Sequence, residues 1–191
     1  MSTIEINRSK KISEDNFVFD GEGKEYLWTR EQNEPLFIVT KSGVSNITIK
    51  NFTIDFQNNG RLFICDNKSV KNVLIENVIV KNATGALGFK AEKDDVIQKN
   101  ITISNCKFYD GHSHNITIGK RNNGISSDIV VKDCYMDGSY GHSLVITGPS
   151  NITITGNEII NINNVSHLYN HKRFGKDRLP GIVSRLRFVF P

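Results

Sequence analysis

Apolar and polar residues alternate with period two in five short segments that have nearly the same sequence. Each segment begins with Asn or Asp and continues with an apolar, a polar and an apolar residue, as in Asn46-Ile47-Thr48-Ile49. Such alternation predicts a β-strand with one buried face. The spacings between segments are 26, 28, 28 and 23 residues, which indicates a stack of similar coils. The leading residues are Asn46, Asn72, Asn100, Asp128 and Asn151.

A second position that recurs in each copy, five residues after the first, predicts a corner. Asn, Asp and Gly tolerate left-handed backbone angles, and Asn and Asp side chains can bond to nearby backbone groups. After the corner the alternation resumes, as in Phe52 and Ile54, and a third apolar run such as 62–65 closes each turn. The corner residues are Asn51, Asn77, Asn105, Asp133 and Gly156.

Three strands per repeat predict an all-β fold, a single-stranded parallel β-helix of about six coils. Residues 1–34 are expected to form an N-terminal cap and first coil, because the first rung would otherwise expose a strand edge. Residues 35–164 carry the regular coils. The alternation fails in residues 165–191, which we interpret as a basic C-terminal cap or tail.

The net charge of +4 is concentrated at the C-terminal end of the chain. Residues 165–191 hold six Lys or Arg against one Asp, a local charge of +5, so the rest of the chain carries −1. This distribution argues against nucleic acid as a partner. The sequence also has no apolar run of membrane-spanning length and no signal-peptide pattern at its start, so no membrane association is expected.

The three cysteines fall at inward positions of the predicted strands. Cys106 and Cys134 occupy the same position one coil apart, and Cys65 lies in the third strand of its coil. We therefore expect them to be small apolar core residues. A disulfide between Cys106 and Cys134 is the alternative, because adjacent rungs lie roughly 4.8 Å apart.

Titratable side chains gather where the loops of the late coils lead into the third strand. If Ile116 stacks on Leu144, His114 must stack on His142 and Asp110 must lie near Asp137. A carboxylate beside an imidazole can transfer protons near neutral pH, although a stacked corner can also be purely structural. The candidate catalytic residues are Tyr109, Asp110, His112, His114, Asp137 and His142.

Four further residues are candidates for substrate binding, although Lys120 and Arg121 could equally be solvated loop charges. Lys90, Asp94 and Asp95 are expected in a solvated loop one coil away. No spacing indicates a metal site, and the carboxylates are too few to indicate calcium, so no cofactor is predicted. The candidate substrate-binding residues are Tyr140, Lys120, Arg121 and His167.

The repeated Asn-Ile-Thr-Ile-x-Asn segment, on coils of about 25 residues, resembles the pectin-lyase-like superfamily over residues 12–164. The resemblance implies a right-handed helix that binds extended polysaccharides along an outer face. It also makes an extracellular or virion-associated location plausible.

Two local segments resemble enzymes of that superfamily. Residues 141–146 are similar to the Gly-His-Gly-x-x-Ile segment of polygalacturonases, but the preceding coil lacks the Asp-Asp pair that hydrolysis would need there. Residues 109–112 resemble the Tyr-Gly-x-Asp-Pro-His segment of mannuronan epimerases and related lyases, with shorter spacing and no Pro. That resemblance implies proton abstraction at C5 of a uronate, with Tyr and His as acid and base.

The resulting expectation is a carbohydrate-active protein whose partner is an acidic polysaccharide or oligosaccharide. The reaction would be proton abstraction of the lyase or epimerase type, or glycoside hydrolysis. The alternative is a non-catalytic glycan-binding or structural β-helix, such as a segment of a phage spike or surface adhesin. The oligomeric state is left open.

Overall fold

The strands of successive coils stack in parallel, and every strand pair in the computed structural model runs in the same direction. The model describes residues 3–30, 32–120, 123–137, 142–160, 183–184 and 187–189. Two sheets result, one of six strands and one of twelve. The six-stranded sheet takes one strand from each of six successive coils, which agrees with the predicted coil number.

The six-stranded sheet is built from the third apolar run of each repeat. Its inward positions are filled by residues such as Phe63, Leu87 and Ile116, which lie in direct register and are 2% exposed or less. In chain order its strands are β2 (Lys10–Ile12), β4 (Glu34–Val39), β6 (Gly60–Asp66), β8 (Leu87–Ala91), β11 (Ile116–Lys120) and β14 (Leu144–Thr147).

The twelve-stranded sheet contains the first two strands of each repeat and bends at the Asn corner between them. In the first three coils the two strands form one continuous bent strand, whereas in later coils two residues interrupt them. Its strands are β1 (Ile4–Ile6), β3 (Val18–Trp28), β5 (Val44–Asp55), β7 (Val70–Lys81), β9 (Ile97–Ser104), β10 (Lys107–Tyr109), β12 (Ile125–Lys132), β13 (Tyr135–Asp137), β15 (Ser150–Thr155), β16 (Glu158–Ile160), β17 (Val183–Ser184) and β18 (Arg187–Val189).

Both repeated Asn positions adopt the left-handed backbone conformation. Asn72 has φ 57° and Asn77 has φ 53°, and the other copies are similar. At the leading position the amides form a ladder: Asn72 Nδ2 donates to Asn46 Oδ1 at 2.9 Å, and Asn100 Nδ2 donates to Asn72 Oδ1 at 3.0 Å. Each side chain thus stabilises the same turn in the neighbouring coil.

Glycine replaces the corner Asn in the last described coil for a steric reason. Gly156 has φ 64°, and a Cβ at this position would overlap Asp133 Oδ1 of the preceding coil. Asn157, the next residue, provides the missing polar contact, because its Oδ1 accepts a hydrogen bond from the Cys134 N–H at 2.9 Å.

The prediction that the cysteines are core residues is confirmed. Cys65, Cys106 and Cys134 are buried free thiols, so the alternative disulfide is not formed. Burial raises the pKa of Cys65 to about 12. The neighbouring Cys134 thiol, together with burial, raises the pKa of Cys106 well above its ordinary value. Cys65 and Cys106 are therefore protonated at neutral pH, and all three buried residues act as small apolar side chains.

We expect Asn72→Ala to lower the free energy of unfolding by about 2 kcal/mol, because it adds left-handed strain and removes two ladder hydrogen bonds. Asn72→Gly should cost about 1 kcal/mol, since glycine accepts the backbone angle and only the hydrogen bonds are lost. Chemical denaturation measures both. An alanine variant as stable as the wild type would refute the role assigned to the ladder.

Candidate active site

The structure divides the described candidate residues into groups that lie on different elements. Tyr109 and Asp137 are register partners on β10 and β13, in the twelve-stranded sheet. His114 and His142 directly precede Asn115 and Ser143, which lead into β11 and β14 of the six-stranded sheet. The two groups are separated along the chain by the corner that begins at Asp110.

The corner residues Asp110 and His112 are exposed and held through their backbone. Asp110 has φ 51°, and its N–H donates to the Asp137 carbonyl at 3.0 Å, so the predicted proximity of Asp110 and Asp137 is confirmed at the backbone. The N–H of His112 donates to the Ala83 carbonyl of the preceding coil at 2.8 Å. These contacts fix the path of the chain and leave both side chains on the surface.

The predicted stacking of His114 on His142 is confirmed. Ile116 pairs with Leu144, and the two imidazoles lie parallel, with ring centroids 5.1 Å apart and an interplanar angle of 1°. The backbone N–H of His142 donates to Nδ1 of His114 at 3.0 Å. Because Nδ1 is the acceptor, the neutral His114 ring carries its proton on Nε2 and presents a donor there.

His114 is held in its neutral form. Burial lowers its pKa from the ordinary value, and the charges of His142 and Lys90 lower it further. Two stacked imidazoles this close repel each other when both are protonated. At neutral pH the His114 ring is therefore an uncharged hydrogen-bond donor.

Lys90 connects this histidine pair to a carboxylate that the sequence had not singled out. It was predicted in a solvated loop, but it lies on β8, where it pairs in register with Asp66 of β6. Its Nζ lies 3.8 Å from Asp66 Oδ2, and both side chains are 39% exposed. The prediction of a loop position was wrong because the strand continues beyond the apolar run 86–89 to Ala91.

Asp66 is half-buried, and its surroundings act on its pKa in both directions. Burial raises the pKa, the positive charges of Lys90 and Arg61 lower it, and the negative charge of Glu92 raises it, with a net shift upward. The Nε of Arg61 is buried and has no hydrogen-bond partner among the described residues. The positive charge of Arg61 thus acts on a carboxylate of raised pKa.

Two glycines of coil four differ in the space beside them. Gly88 lies between Ile64 and Thr117 in the ladder, and a Cβ there would come within 2.9 Å of Ile64 Cδ1, so the Ile64 side chain already fills that position. Gly85 faces mainly open space, since the nearest atom to its Cβ position is the His114 carbonyl oxygen at 3.6 Å.

The charged and imidazole side chains occupy two levels of the six-stranded sheet. Asp66 and Lys90 lie at the rung of Gly119, five residues after His114. We call the outer surface of this sheet that carries Arg61, Asp66, Lys90, His114 and His142 the charged face.

Of the predicted substrate-binding residues, Lys120 is the one that the structure describes. It ends β11 and pairs in register with Ala91, one position beyond the rung of Gly119 and Lys90. Tyr140, Arg121 and His167 lie outside the described residues.

Arg61, Asp66 and Lys90 were not found from the sequence, because they do not repeat from coil to coil. A signal was nevertheless present. Aligning the third apolar runs places Asp66 opposite Lys90, and places glycine in coil four at the position of His114 in the next coil. Residues that depart from the repeat at these two rung positions thus mark this surface.

Two kinds of feature were searched for within the described part of the chain. No group of three or more His, Cys, Asp or Glu residues there is arranged to hold a metal ion. The same part of the chain contains no helix that is long and apolar enough to cross a membrane.

Comparison with known families identifies the class of protein. The family model described as a right-handed β-helix region matches residues 37–176. The chain therefore belongs to the right-handed β-helix family, which gives the handedness of the stacked coils. No curated protein and no solved structure shows significant similarity to the chain.

We predict that Lys90→Gln raises the pKa of both His114 and Asp66, because the positive charge of Lys90 disfavours imidazolium and favours carboxylate. NMR titration of the His114 ring and of the Asp66 carboxyl carbon measures the two shifts. Lys71→Gln, an exposed lysine on the other sheet, is the matched control and should leave both unchanged. Unchanged values in Lys90→Gln would show that the charged face is not electrostatically coupled.

Proposed function

We propose that this protein acts on an acidic polysaccharide bound across the charged face, by abstracting a proton from C5 of a uronate residue. The observation that carries the proposal is the position of Lys90, which lies 3.8 Å from a carboxylate of raised pKa and influences a neutral histidine. A base, a cation and an uncharged donor are the groups that such a reaction requires.

Arg61 and Lys90 are the proposed ligands of the uronate carboxylate. Arginine can bind a carboxylate through two parallel N–H groups, and the positive charge of Arg61 already acts on the Asp66 carboxylate. Pairing with these cations would neutralise the substrate carboxylate and so acidify the neighbouring C5–H bond. Gly85 leaves open space for the sugar chain beside His114.

Asp66 is the proposed base. Partial burial raises its pKa, which strengthens it as a proton acceptor, while Lys90 and Arg61 keep it ionised at neutral pH. Its separation of 3.8 Å from the Lys90 ammonium is longer than a direct hydrogen bond. Lys90 can therefore turn toward a bound carboxylate without the loss of a strong internal bond.

Lys90 and Arg61 are the proposed stabilisers of the enolate that forms when the proton leaves. His114 is the proposed hydrogen-bond donor to the sugar chain beside the reacting residue, because its Nε2–H is fixed by the hydrogen bond at Nδ1 and the ring stays neutral beside His142. After proton transfer to Asp66, the electron pair either expels the C4 oxygen, which is protonated by water, or takes a proton from water on the opposite face. In both cases Asp66 then releases its proton to solvent. The first outcome gives an unsaturated sugar and the second a C5 epimer.

Hydrolysis would use different residues. Glycosidases need two carboxyl groups on either side of the scissile bond, and Asp110 and Asp137 form the adjacent pair in this structure. The resemblance to epimerases would instead assign the acid and base to Tyr109 and His112. Substitution of Asp66, of Asp137 and of Tyr109 therefore separates the three mechanisms.

The test is an assay of polygalacturonate, polymannuronate, polyguluronate and polyglucuronate with three readouts. Ultraviolet absorbance detects unsaturated products, proton NMR detects epimers, and a reducing-end assay detects hydrolysis. We expect one of the first two signals with at least one polymer, and we expect Asp66→Asn to lower the rate by about 100-fold or more.

Lys71→Gln is the control and should retain the wild-type rate. Reducing ends without unsaturated product, lost in Asp137→Asn and retained in Asp66→Asn, would overturn the proposal in favour of hydrolysis. Binding without turnover on all four polymers would overturn it in favour of a non-catalytic glycan-binding module.

A further inference from the structure

Two tyrosines form a pair on a surface that the proposed reaction does not use. Tyr109 and Tyr135 lie on β10 and β13, with ring centroids 5.6 Å apart and an interplanar angle of 47°. Both are partly exposed, whereas Phe108 and Met136 on the inner side of the same strands are fully buried. The core beneath them is therefore filled without the tyrosine rings.

Polar groups surround this pair. The hydroxyl of Tyr135 donates to Asp137 Oδ2 at 3.3 Å, and burial and the Asp137 charge raise the pKa of Tyr135, which keeps the hydroxyl protonated. The ladder places Lys107 beside Tyr135 in one direction and Glu158 in the other. Aromatic surface, carboxylates and an ammonium group thus meet on one face.

We infer that the Tyr109–Tyr135 pair is a binding site for a pyranose ring of a glycan chain. The C–H face of a sugar is apolar and can pack on an aromatic ring, while its hydroxyls need donors and acceptors at the edge. Asp137 and Glu158 supply acceptors, and Lys107 supplies a donor. A purely apolar partner would leave these charged groups desolvated, which would oppose its binding.

The site adds to the proposed reaction and does not depend on it. The tyrosines lie on the twelve-stranded sheet and the charged face lies on the six-stranded sheet. A glycan held at the tyrosine pair would raise the local concentration of the same chain at the charged face. Binding and turnover can therefore fail separately in experiments.

The test measures binding of two probes, an oligogalacturonate hexamer and neutral cellohexaose, by calorimetry and by the NMR shifts of the tyrosine ring signals. We expect at least one probe to shift the Tyr109 and Tyr135 rings. Tyr135→Leu and Tyr109→Leu should weaken that binding about fivefold or more, because each removes a stacking surface. Tyr109→Phe keeps the ring and should bind nearly as the wild type does.

Thermal unfolding of each variant verifies that the fold is retained. Asp66→Asn should bind the probes at the tyrosine pair as the wild type does, which separates this site from the charged face. The inference is overturned if neither probe shifts the tyrosine rings, or if both leucine variants bind with the wild-type affinity. Loss of turnover in Asp66→Asn with unchanged tyrosine shifts supports two separate sites.

Discussion

The left-handed backbone conformation of the recurring Asn and Asp residues is the constraint on which the rest of the structure depends. A coil of about 25 residues must turn sharply between strands. A positive φ destabilises an L-residue unless its side chain makes a compensating contact. Asn compensates by bonding to the same residue in the neighbouring coil, as the corner residue Asn77 does with Asn51 and the leading residue Asn72 does with Asn46 and Asn100. The turn and the register are therefore stabilised together, and apolar residues such as Ile47 and Val73 stack directly in the core.

Strict register determines which side chains become neighbours on the surface. Residues at one rung position become neighbours whatever their distance in sequence, so Asp66 meets Lys90, and His114 meets His142. A regular repeat would produce uniform rows of side chains. This chain instead places glycine at two outward positions of coil four and charged or aromatic residues around them. The scaffold therefore sets where groups meet, and the departures from the repeat determine their chemistry.

The fold could be predicted from the sequence because alternation, corner residues and spacing all describe the same coil. Much of the local geometry followed as well, including the histidine stack and the proximity of Asp110 and Asp137. The charged face could not be predicted, since the apolar run of that strand ends at Phe89 and the charges of Asp66 and Lys90 do not recur from coil to coil. The protonation of His114 could not be predicted either, because it depends on a hydrogen bond from the His142 backbone and on burial.

The central claim is that equivalent residues of successive coils lie directly over one another at the rung of His114 and His142. A two-dimensional nuclear Overhauser spectrum, with the histidine ring signals assigned from single His→Gln variants, tests it most directly. The account predicts a cross-peak between the ring protons of His114 and His142, whose centroids lie 5.1 Å apart. Absence of that cross-peak in the folded protein, with cross-peaks from either ring to residues two coils away, would contradict the account.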